Sequence, residues 1–210
     1  MLETIVSLVV LILSIILHEV AHGYAANSLG DPTARLSGRL TLNPVSHIDL
    51  LGSIIIPGIL FFTHAPFLFG WAKPVPYNPY NLKNQRWGEA FVAAAGPLTN
   101  LLLALIFSLI IRFGAGFGLS SAFLDLASYI VLINIVLALF NAIPFPPLDG
   151  SKVLTGFLPF ELARRYQALG QTVERLGFMG LFLVLFLFTQ LLAEPFGRLV
   201  YALYRIFIGV

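Results

Sequence analysis

Residues 4–27 read TIVSLVVLILSIILHEVAHGYAAN, an apolar run that carries His18, Glu19 and His22 in its second half. The run has the roughly 20 residues that a helix needs to cross the hydrocarbon core of a bilayer. Ionisable side chains are costly to bury in such a helix, so they indicate a functional site where a metal, a partner or an aqueous cavity offsets the cost.

The spacing of the two histidines predicts a metal site. They are four residues apart, which on a helix puts both imidazoles on one face, one turn apart. Two imidazoles at this spacing can chelate one zinc ion, and Glu19 beside them can take a proton from the attacking water. The alternative is that His18, Glu19 and His22 end the helix and face water, which the nearby Asn27 and Asp31 allow. The cost of burial favours the metal site.

The composition predicts a membrane protein. Of the 210 residues, 58% are hydrophobic and only 10% are charged, too few to cover a soluble domain of this length. The net charge of +2, without a basic cluster interleaved with aromatic residues, argues against nucleic-acid binding. The chain has no cysteine, so disulfides and catalytic thiols are excluded and a transition metal has to be bound by His, Asp or Glu.

Four apolar segments approach the length of a membrane span: 4–27, 87–113, 123–143 and 177–193. We therefore predict an all-α integral membrane protein that forms a single polytopic domain over residues 1–210. Residues 196–210 either complete the fourth span or lie at the interface as an amphipathic helix. We expect the first segment to be retained, because no basic residue precedes it and no small-residue cleavage pattern follows it.

The distribution of basic residues predicts the orientation. Nine of them lie in the two longer connections, between spans one and two and between spans three and four: Arg35, Arg39, Lys73, Lys83, Arg86, Lys152, Arg164, Arg165 and Arg175. Only Arg112 borders the remaining connection, so the longer connections are predicted to be cytoplasmic and the N-terminus outside. His18 then lies roughly 21 Å along the first helix, inside a hydrocarbon core about 30 Å thick and nearer the cytoplasm.

The first connection has three parts with different patterns. Residues 33–44 (TARLSGRLTLNP) partly alternate apolar and polar side chains, which predicts a short membrane-associated β-hairpin or a pair of edge strands. Residues 50–69 are apolar but interrupted by glycine and proline, which predicts a re-entrant or membrane-hugging segment. Residues 70–80 hold three prolines and are expected to be extended.

A catalytic zinc needs a third protein ligand, and Asp149 is the main candidate. It follows the third span in the proline-rich stretch NAIPFPPLDG, residues 141–150, where the prolines prevent a continued helix. The predicted topology places this stretch at the depth of the histidine pair. The residue chemistry alone leaves two interpretations open, a third metal ligand and an Asp-Gly turn in a solvated loop.

Five other polar residues have candidate roles. Asn141 ends the third span and can bind substrate or stabilise an oxyanion, or it can cap the helix. Asn100 and Asn134 fall within spans, where an interhelical hydrogen bond is expected. His47 and His64 are expected to be ordinary loop histidines, with a role as ligand left open.

Three motifs together resemble the site-2 protease family of intramembrane zinc metalloproteases: HEVAH at 18–22, AGPLTN at 95–100 and NAIPFPPLDG at 141–150. Their order and their positions on three successive spans also match, and the resemblance covers almost the entire chain. It implies that His18, His22 and Asp149 bind one zinc ion, that Glu19 is the general base and that Asn141 assists. It also implies a membrane-associated sheet after the first helix.

The chain looks most like the compact bacterial members of that family, without a PDZ insertion or a CBS extension. This implies a protein of the bacterial cell membrane that cleaves transmembrane or membrane-proximal segments of membrane proteins. Two other functions stay open, a zinc-binding membrane scaffold without proteolysis and a metal-ion transporter. The ionisable residues concentrate near one side, which argues against a transport path. A gating partner and a homo-oligomer are open as well.

Overall fold

A computed structural model of the protein describes residues 2–63 and 71–209. The α-helices in these ranges are α1 Leu2–Ser28, α2 Thr33–Leu36, α3 Ile56–Phe62, α4 Gln85–Gly114, α5 Ser121–Asn141, α6 Asp149–Phe157, α7 Phe160–Arg175, α8 Phe178–Leu191 and α9 Ala193–Ile208. Three of them are long and apolar enough to cross a membrane: Ile5–Ser28, Gln85–Gly114 and Ser121–Asn141. The first three predicted spans are therefore confirmed to within two residues at each end.

The spanning helices pack through small and branched side chains and turn large apolar ones outward. Ala104 of α4 packs against Val131 and Ile135 of α5 in a fully buried cluster. On the outer faces, Val9 of α1 and Leu102 of α4 are about half exposed, at 49% and 55%. A helix that buries little of its apolar surface against protein needs an apolar solvent, so the outer faces fit contact with lipid.

The fourth predicted span is a bent pair of helices. The segment Phe182–Leu191 of α8 meets α9 at 74°, and together they have the length and composition of one span. Pro195 lies in the first turn of α9, where a missing N–H is tolerated because the N–H groups of a first turn have no partner within the helix. A continuous helix through Pro195 would lack the hydrogen bond from this N–H to the preceding turn, so α8 ends before it.

Helix α9 lies alongside α4 and α5. At one end the Phe196 ring lies 6.4 Å from that of Phe140, near the end of α5. At the other end Arg112, in the last turn of α4, donates to the carbonyl oxygens of Phe207, at 2.8 Å, and Ile206. Residues 193–208 therefore run beside the α4–α5 hairpin, and whether they complete the fourth span or lie at the interface stays a prediction.

The predicted β element at residues 33–44 is wrong, and the described residues contain no β-strand. Thr33–Leu36 form a helical turn instead, in which Ser37 N–H donates to Thr33 O at 3.0 Å and Arg39 N–H to Ala34 O at 2.9 Å. Gly38 adopts a positive φ of 64° and ends the turn, as glycine commonly does after a helix. The alternating pattern comes from a turn that buries only Ala34, and not from strand pairing.

The remainder of the first connection is described in part, and the re-entrant or membrane-hugging character of residues 50–69 stays a prediction. Leu50–Ile55 form a π-helical turn that runs into α3, with exposed apolar side chains such as Leu51 and Ile59. Residues 71–78 have no regular secondary structure, as predicted for an extended proline-rich segment. The rest of the predicted re-entrant segment, including His64, lies outside the described residues.

We call residues 73–78 the strap, because they form an extended strip held by side chains rather than by a sheet. Arg39 Nη2 donates to the carbonyl oxygens of Lys73, at 2.9 Å, and Pro74, at 3.3 Å. Asn78 N–H donates to Asp31 Oδ2 at 2.6 Å. The strap thus has charged partners at both ends.

Asp31 connects the end of α1 to α2 and to the strap. Its fully buried carboxylate also accepts hydrogen bonds from Thr33 N–H at 3.1 Å, Thr33 Oγ1 at 2.5 Å and Asn81 Nδ2 at 2.8 Å. Burial by itself raises the pKa of Asp31, but the hydrogen bonds from Thr33, Asn81 and Asn78 outweigh it and hold the pKa below its ordinary value. The carboxylate therefore stabilises the fold above the pKa it has in the unfolded chain, and this contribution is lost as the pH falls through the lower folded-state pKa.

Asp31→Asn is expected to destabilise the protein by about 2 kcal/mol at neutral pH, because hydrogen bonds to a charged acceptor are lost. Thermal unfolding of the purified protein, followed by tryptophan fluorescence, measures the effect. The difference from the wild type should shrink at acidic pH, where the wild-type carboxyl is protonated too. Asp125→Asn, at an exposed position of α5, is the control. An unchanged melting temperature for Asp31→Asn at neutral pH would contradict the role given to this carboxylate.

Candidate metal centre

His18 and His22 of α1 converge with Asp149, the first residue of α6. Asp149 Oδ2 lies 3.0 Å from His18 Nε2 and 3.3 Å from His22 Nε2. One potential ligand atom from each residue lies within 4.8 Å of the others, and these three residues form a group that could hold a metal ion. Asp149 therefore contacts the histidine pair at the start of a helix and is not part of a solvated turn.

The stretch before α6 places Asp149 by close backbone packing. Leu148 is extended, with φ −69° and ψ 154°, and α6 begins directly after it. Ser151 Oγ donates to Leu148 O at 2.7 Å and closes the first turn. A Cβ atom at Gly150 would collide with the carbonyl group of Ala142, so the glycine lets α6 start against the end of α5.

A buried amide network orients His18. Its Nδ1 lies 2.6 Å from Asn100 Oδ1, and Asn100 Nδ2 donates to Asn134 Oδ1 at 2.8 Å. Asn134 Nδ2 in turn donates to Ser14 Oγ at 2.9 Å. Because an amide oxygen only accepts, His18 donates from Nδ1 and keeps the Nε2 lone pair for a metal. The hydrogen bonds predicted between spans for Asn100 and Asn134 are thus confirmed.

His22 is oriented by the backbone of α4. Its Nδ1 donates to Val92 O at 2.7 Å, which leaves Nε2 directed at Asp149. Gly96 of the same helix makes this approach possible, since a Cβ atom there would lie 2.5 Å from His22 Nε2 and 2.6 Å from His18 Nε2. The glycine of the AGPLTN motif therefore allows α4 to lie in close contact with the two imidazoles.

The donor set fits a catalytic metal ion. Two imidazole nitrogens and one carboxylate oxygen are a common three-ligand arrangement, with a further position left for water or substrate. A carboxylate binds metal in its ionised form and an imidazole in its neutral form, and the Nδ1 hydrogen bonds of both histidines leave their Nε2 lone pairs free for this.

The other candidate residues lie outside this cluster. Glu19 Oε2 accepts a hydrogen bond from the main-chain N–H of Val75 at 2.9 Å. Asn141 Nδ2 donates to Leu137 O of its own helix at 3.0 Å, and no described contact joins it to the cluster, so its role stays a prediction. His47 is buried elsewhere, with Nε2 at 2.8 Å from Thr41 O.

Sequence reasoning missed a polar group beside the cluster. The Lys152 ammonium lies 5.3 Å from the centre of the Tyr77 ring, and Tyr77 OH donates to Glu89 at 3.3 Å. Burial alone lowers the pKa of Lys152, but Tyr77, Asp149 and Glu89 outweigh it and raise the pKa. In the sequence, Lys152 stood out only as a basic residue of the connection between spans three and four. The short helix α6, which brings it to the same side as Asp149, was not predicted.

The fold and the cluster together are those of a membrane metallopeptidase: a HExxH pair in a spanning helix with a carboxylate brought to it from a later helix. The model of Peptidase family M50 matches residues 6–188. The chain belongs to this family, the site-2 proteases, as the resemblance predicted.

Three relatives carry names that read "putative zinc metalloprotease". YwhC of Bacillus subtilis is 40% identical over 185 residues, which are 85% of this chain and 78% of the relative. Rip2 of Mycolicibacterium smegmatis is 28% identical over 198 residues, 90% of this chain and 69% of the relative. MJ0611 of Methanocaldococcus jannaschii is 41% identical over 63 residues, 30% of this chain and 31% of the relative. No solved structure matches the chain.

Gly96→Ala is expected to lower the metal content of the purified protein to less than half, because the added Cβ atom pushes α4 away from both imidazoles. Metal analysis by mass spectrometry after equilibration with zinc measures it. Gly197→Ala in α9 is the matched control, since nothing lies within 4 Å of its added Cβ atom. Alanine favours a helix over glycine by about 1 kcal/mol, so a gain in stability without loss of metal at position 96 would contradict the packing role.

Asn100→Leu is expected to weaken metal binding by roughly 10- to 100-fold, the usual effect of removing the partner that orients a histidine ligand. Competition with a zinc chelator of known affinity measures the change. Ser108→Ala is a suitable control, because among the described residues this buried hydroxyl of α4 bonds only Leu105 O of its own helix. Equal metal affinity in Asn100→Leu and the wild type would show that the network does not orient His18.

Proposed function

We propose that this chain is a zinc-dependent endopeptidase that hydrolyses peptide bonds in transmembrane or membrane-proximal segments of membrane proteins. The observation that carries the proposal is the contact of Asp149, at the start of α6, with His18 and His22 inside an apolar span, with Glu19 next to them in that span. Membership of a peptidase family and the zinc metalloprotease names of the relatives support it.

The depth of the cluster supports hydrolysis within the bilayer. His18 lies 13 residues after Ile5, where the span begins, roughly 20 Å along a helix. The hydrocarbon core is about 30 Å thick, so the site is expected inside it. The excess of basic residues in the longer connections puts the cluster on the cytoplasmic side and the N-terminus outside. Water then reaches the site through a polar cleft from the cytoplasm.

In this mechanism His18 Nε2, His22 Nε2 and an Asp149 carboxylate oxygen would hold the zinc ion. When bound, it supplies Lewis-acid chemistry that polarises a carbonyl and makes water a stronger nucleophile. A carboxylate oxygen of Glu19 accepts a proton from the water as the new C–O bond forms, and it passes this proton to the amine as the C–N bond breaks. The buried amide network and Val92 keep both imidazoles in the orientation that ligation needs.

The substrate segment has to unwind before it is cut. The carbonyl groups of a helix accept hydrogen bonds from their own helix, so an intact helix presents no free scissile bond. Binding by strand addition to residues 33–44 has no strand to build on, because Thr33–Leu36 are helical and residues 39–43 have no regular secondary structure. A gating partner and an oligomeric state have no support among the described contacts.

The two alternative functions, a zinc-binding membrane scaffold and a metal-ion transporter, require different residues at the site. A scaffold needs the three ligands but not Glu19. A transporter needs polar groups along a path across both leaflets, whereas the network that leads away from His18 consists of the neutral side chains of Asn100, Asn134 and Ser14, bonded to each other. The endopeptidase is the function that uses all four residues.

Glu19→Gln is expected to retain zinc and to reduce cleavage by at least about 100-fold, because the proton acceptor is lost while the ligands remain. Membrane proteomes of cells that express the wild type or Glu19→Gln are compared for fragments cut within a span. Any substrate found is then assayed with purified protein. Glu161→Gln, at an exposed position of α7, is the control.

Cleavage by Glu19→Gln at the wild-type rate would overturn the mechanism. Zinc retained without cleavage by the wild type would favour the scaffold. Uptake of zinc into proteoliposomes that contain the protein would favour the transporter.

A further inference from the structure

The strap contains a group that touches Glu19 and that the sequence did not single out. Resting on the proposed function, we propose that the main-chain N–H of Val75 positions Glu19 for proton transfer. Val75 is then a positioning residue, because it acts through the Glu19 carboxylate and no described hydrogen bond joins it to the three residues of the cluster.

The contact is short and protected. Val75 N–H lies 2.9 Å from Glu19 Oε2, and in the described part of the chain this is the only hydrogen bond of the Glu19 carboxylate. Val75 is only 5% exposed, so water competes little for its N–H. One carboxylate oxygen is thus fixed, and the other is left for the reaction.

Helix α1 is shaped to receive the strap at this point. Gly23 lies one helical turn after Glu19, and a Cβ atom there would come within 2.8 Å of Val75 Cγ1. The glycine therefore lets the strap lie close enough for its N–H to reach the carboxylate.

The sequence of the strap leaves one donor at this position. Pro74 and Pro76 have no N–H, so Val75 supplies the only main-chain donor of residues 74–76. A residue that precedes proline is also restricted to extended backbone, which applies to both Lys73 and Val75. The strap therefore needs little ordering to present this N–H to Glu19.

Both flanks of Val75 are anchored. Arg39 holds the carbonyl oxygens of Lys73 and Pro74 on one side, and Asp31 accepts Asn78 N–H on the other. These anchors come from the segment that follows α1, so they keep the strap in place relative to Glu19. A glutamate has three rotatable side-chain bonds, and fixing one oxygen removes most of that freedom. Displacement of a catalytic group by about 1 Å can cost roughly 100-fold in rate.

The test removes the main-chain N–H of Val75 and keeps its side chain. Replacement of Val75 by its α-hydroxy acid, through suppression of a nonsense codon, turns the amide into an ester and keeps the side chain. We expect kcat to fall by about 10- to 100-fold, with KM and zinc content unchanged. The same replacement at Tyr77 is the matched control, because Tyr77 N–H has no hydrogen-bond partner in the described part of the chain. Arg39→Gln tests separately the Pro74 carbonyl, which the ester also weakens.

Hydrogen exchange tests the contact without catalysis. Peptides that cover residues 71–78 contain few exchangeable amides because of the prolines, so the exchange of Val75 N–H can be resolved by mass spectrometry. In metal-free protein, Glu19→Ala is expected to speed this exchange at least 10-fold, while Glu161→Ala leaves it unchanged. Exchange that is the same in Glu19→Ala and the wild type would overturn the proposal.

The kinetic outcomes are equally decisive. A fall in kcat for the Val75 ester but not for the Tyr77 ester supports positioning. An unchanged kcat overturns it, and so does an increase, which would show that the strap restrains Glu19. If the wild type cleaves no substrate, the proposed function fails, while the exchange experiment still decides whether Val75 holds the carboxylate.

Discussion

The hydrogen bonds of His18 and His22 hold together the centre of this protein. Each imidazole has one nitrogen bonded to α4, through Asn100 or Val92, and the other directed at Asp149 of α6. Polar groups inside an apolar span need such partners, because lipid offers none. These contacts join α1, α4 and α6 at one point, and Gly96 leaves room for both imidazoles against α4.

The segment between the first two spans shows how irregular backbone is held beside such a centre. The strap has few main-chain partners, and charged side chains take the place of a neighbouring strand: Arg39 binds its carbonyl oxygens, and Glu19 and Asp31 accept its N–H groups. Each buried backbone polar group needs a partner, and charge-assisted hydrogen bonds are the strong ones. The same contacts bring an extended segment to the edge of the metal cluster.

Several features followed from local sequence alone. The spans at α1, α4 and α5 were predictable because their apolar runs are long, and the histidine pair because four-residue spacing fixes its geometry on a helix. The hairpin at 33–44 was mispredicted, since a few alternating residues around Gly38 fit a helical turn as well as a strand. The bend between α8 and α9 is marked by Pro195, yet its angle depends on packing against Phe140 and Arg112.

The sequence by itself therefore determined an α-helical membrane protein with two potential metal ligands and a glutamate on one helix. Whether Asp149 joins them was left open, because 127 residues separate it from His22 and no local pattern sets that distance. The tertiary structure decided it, by starting α6 against the end of α5. It also decided that Val75 reaches Glu19 and that Asn100 orients His18, since hydrogen bonds between distant segments depend on how the helices pack and not on spacing along the chain.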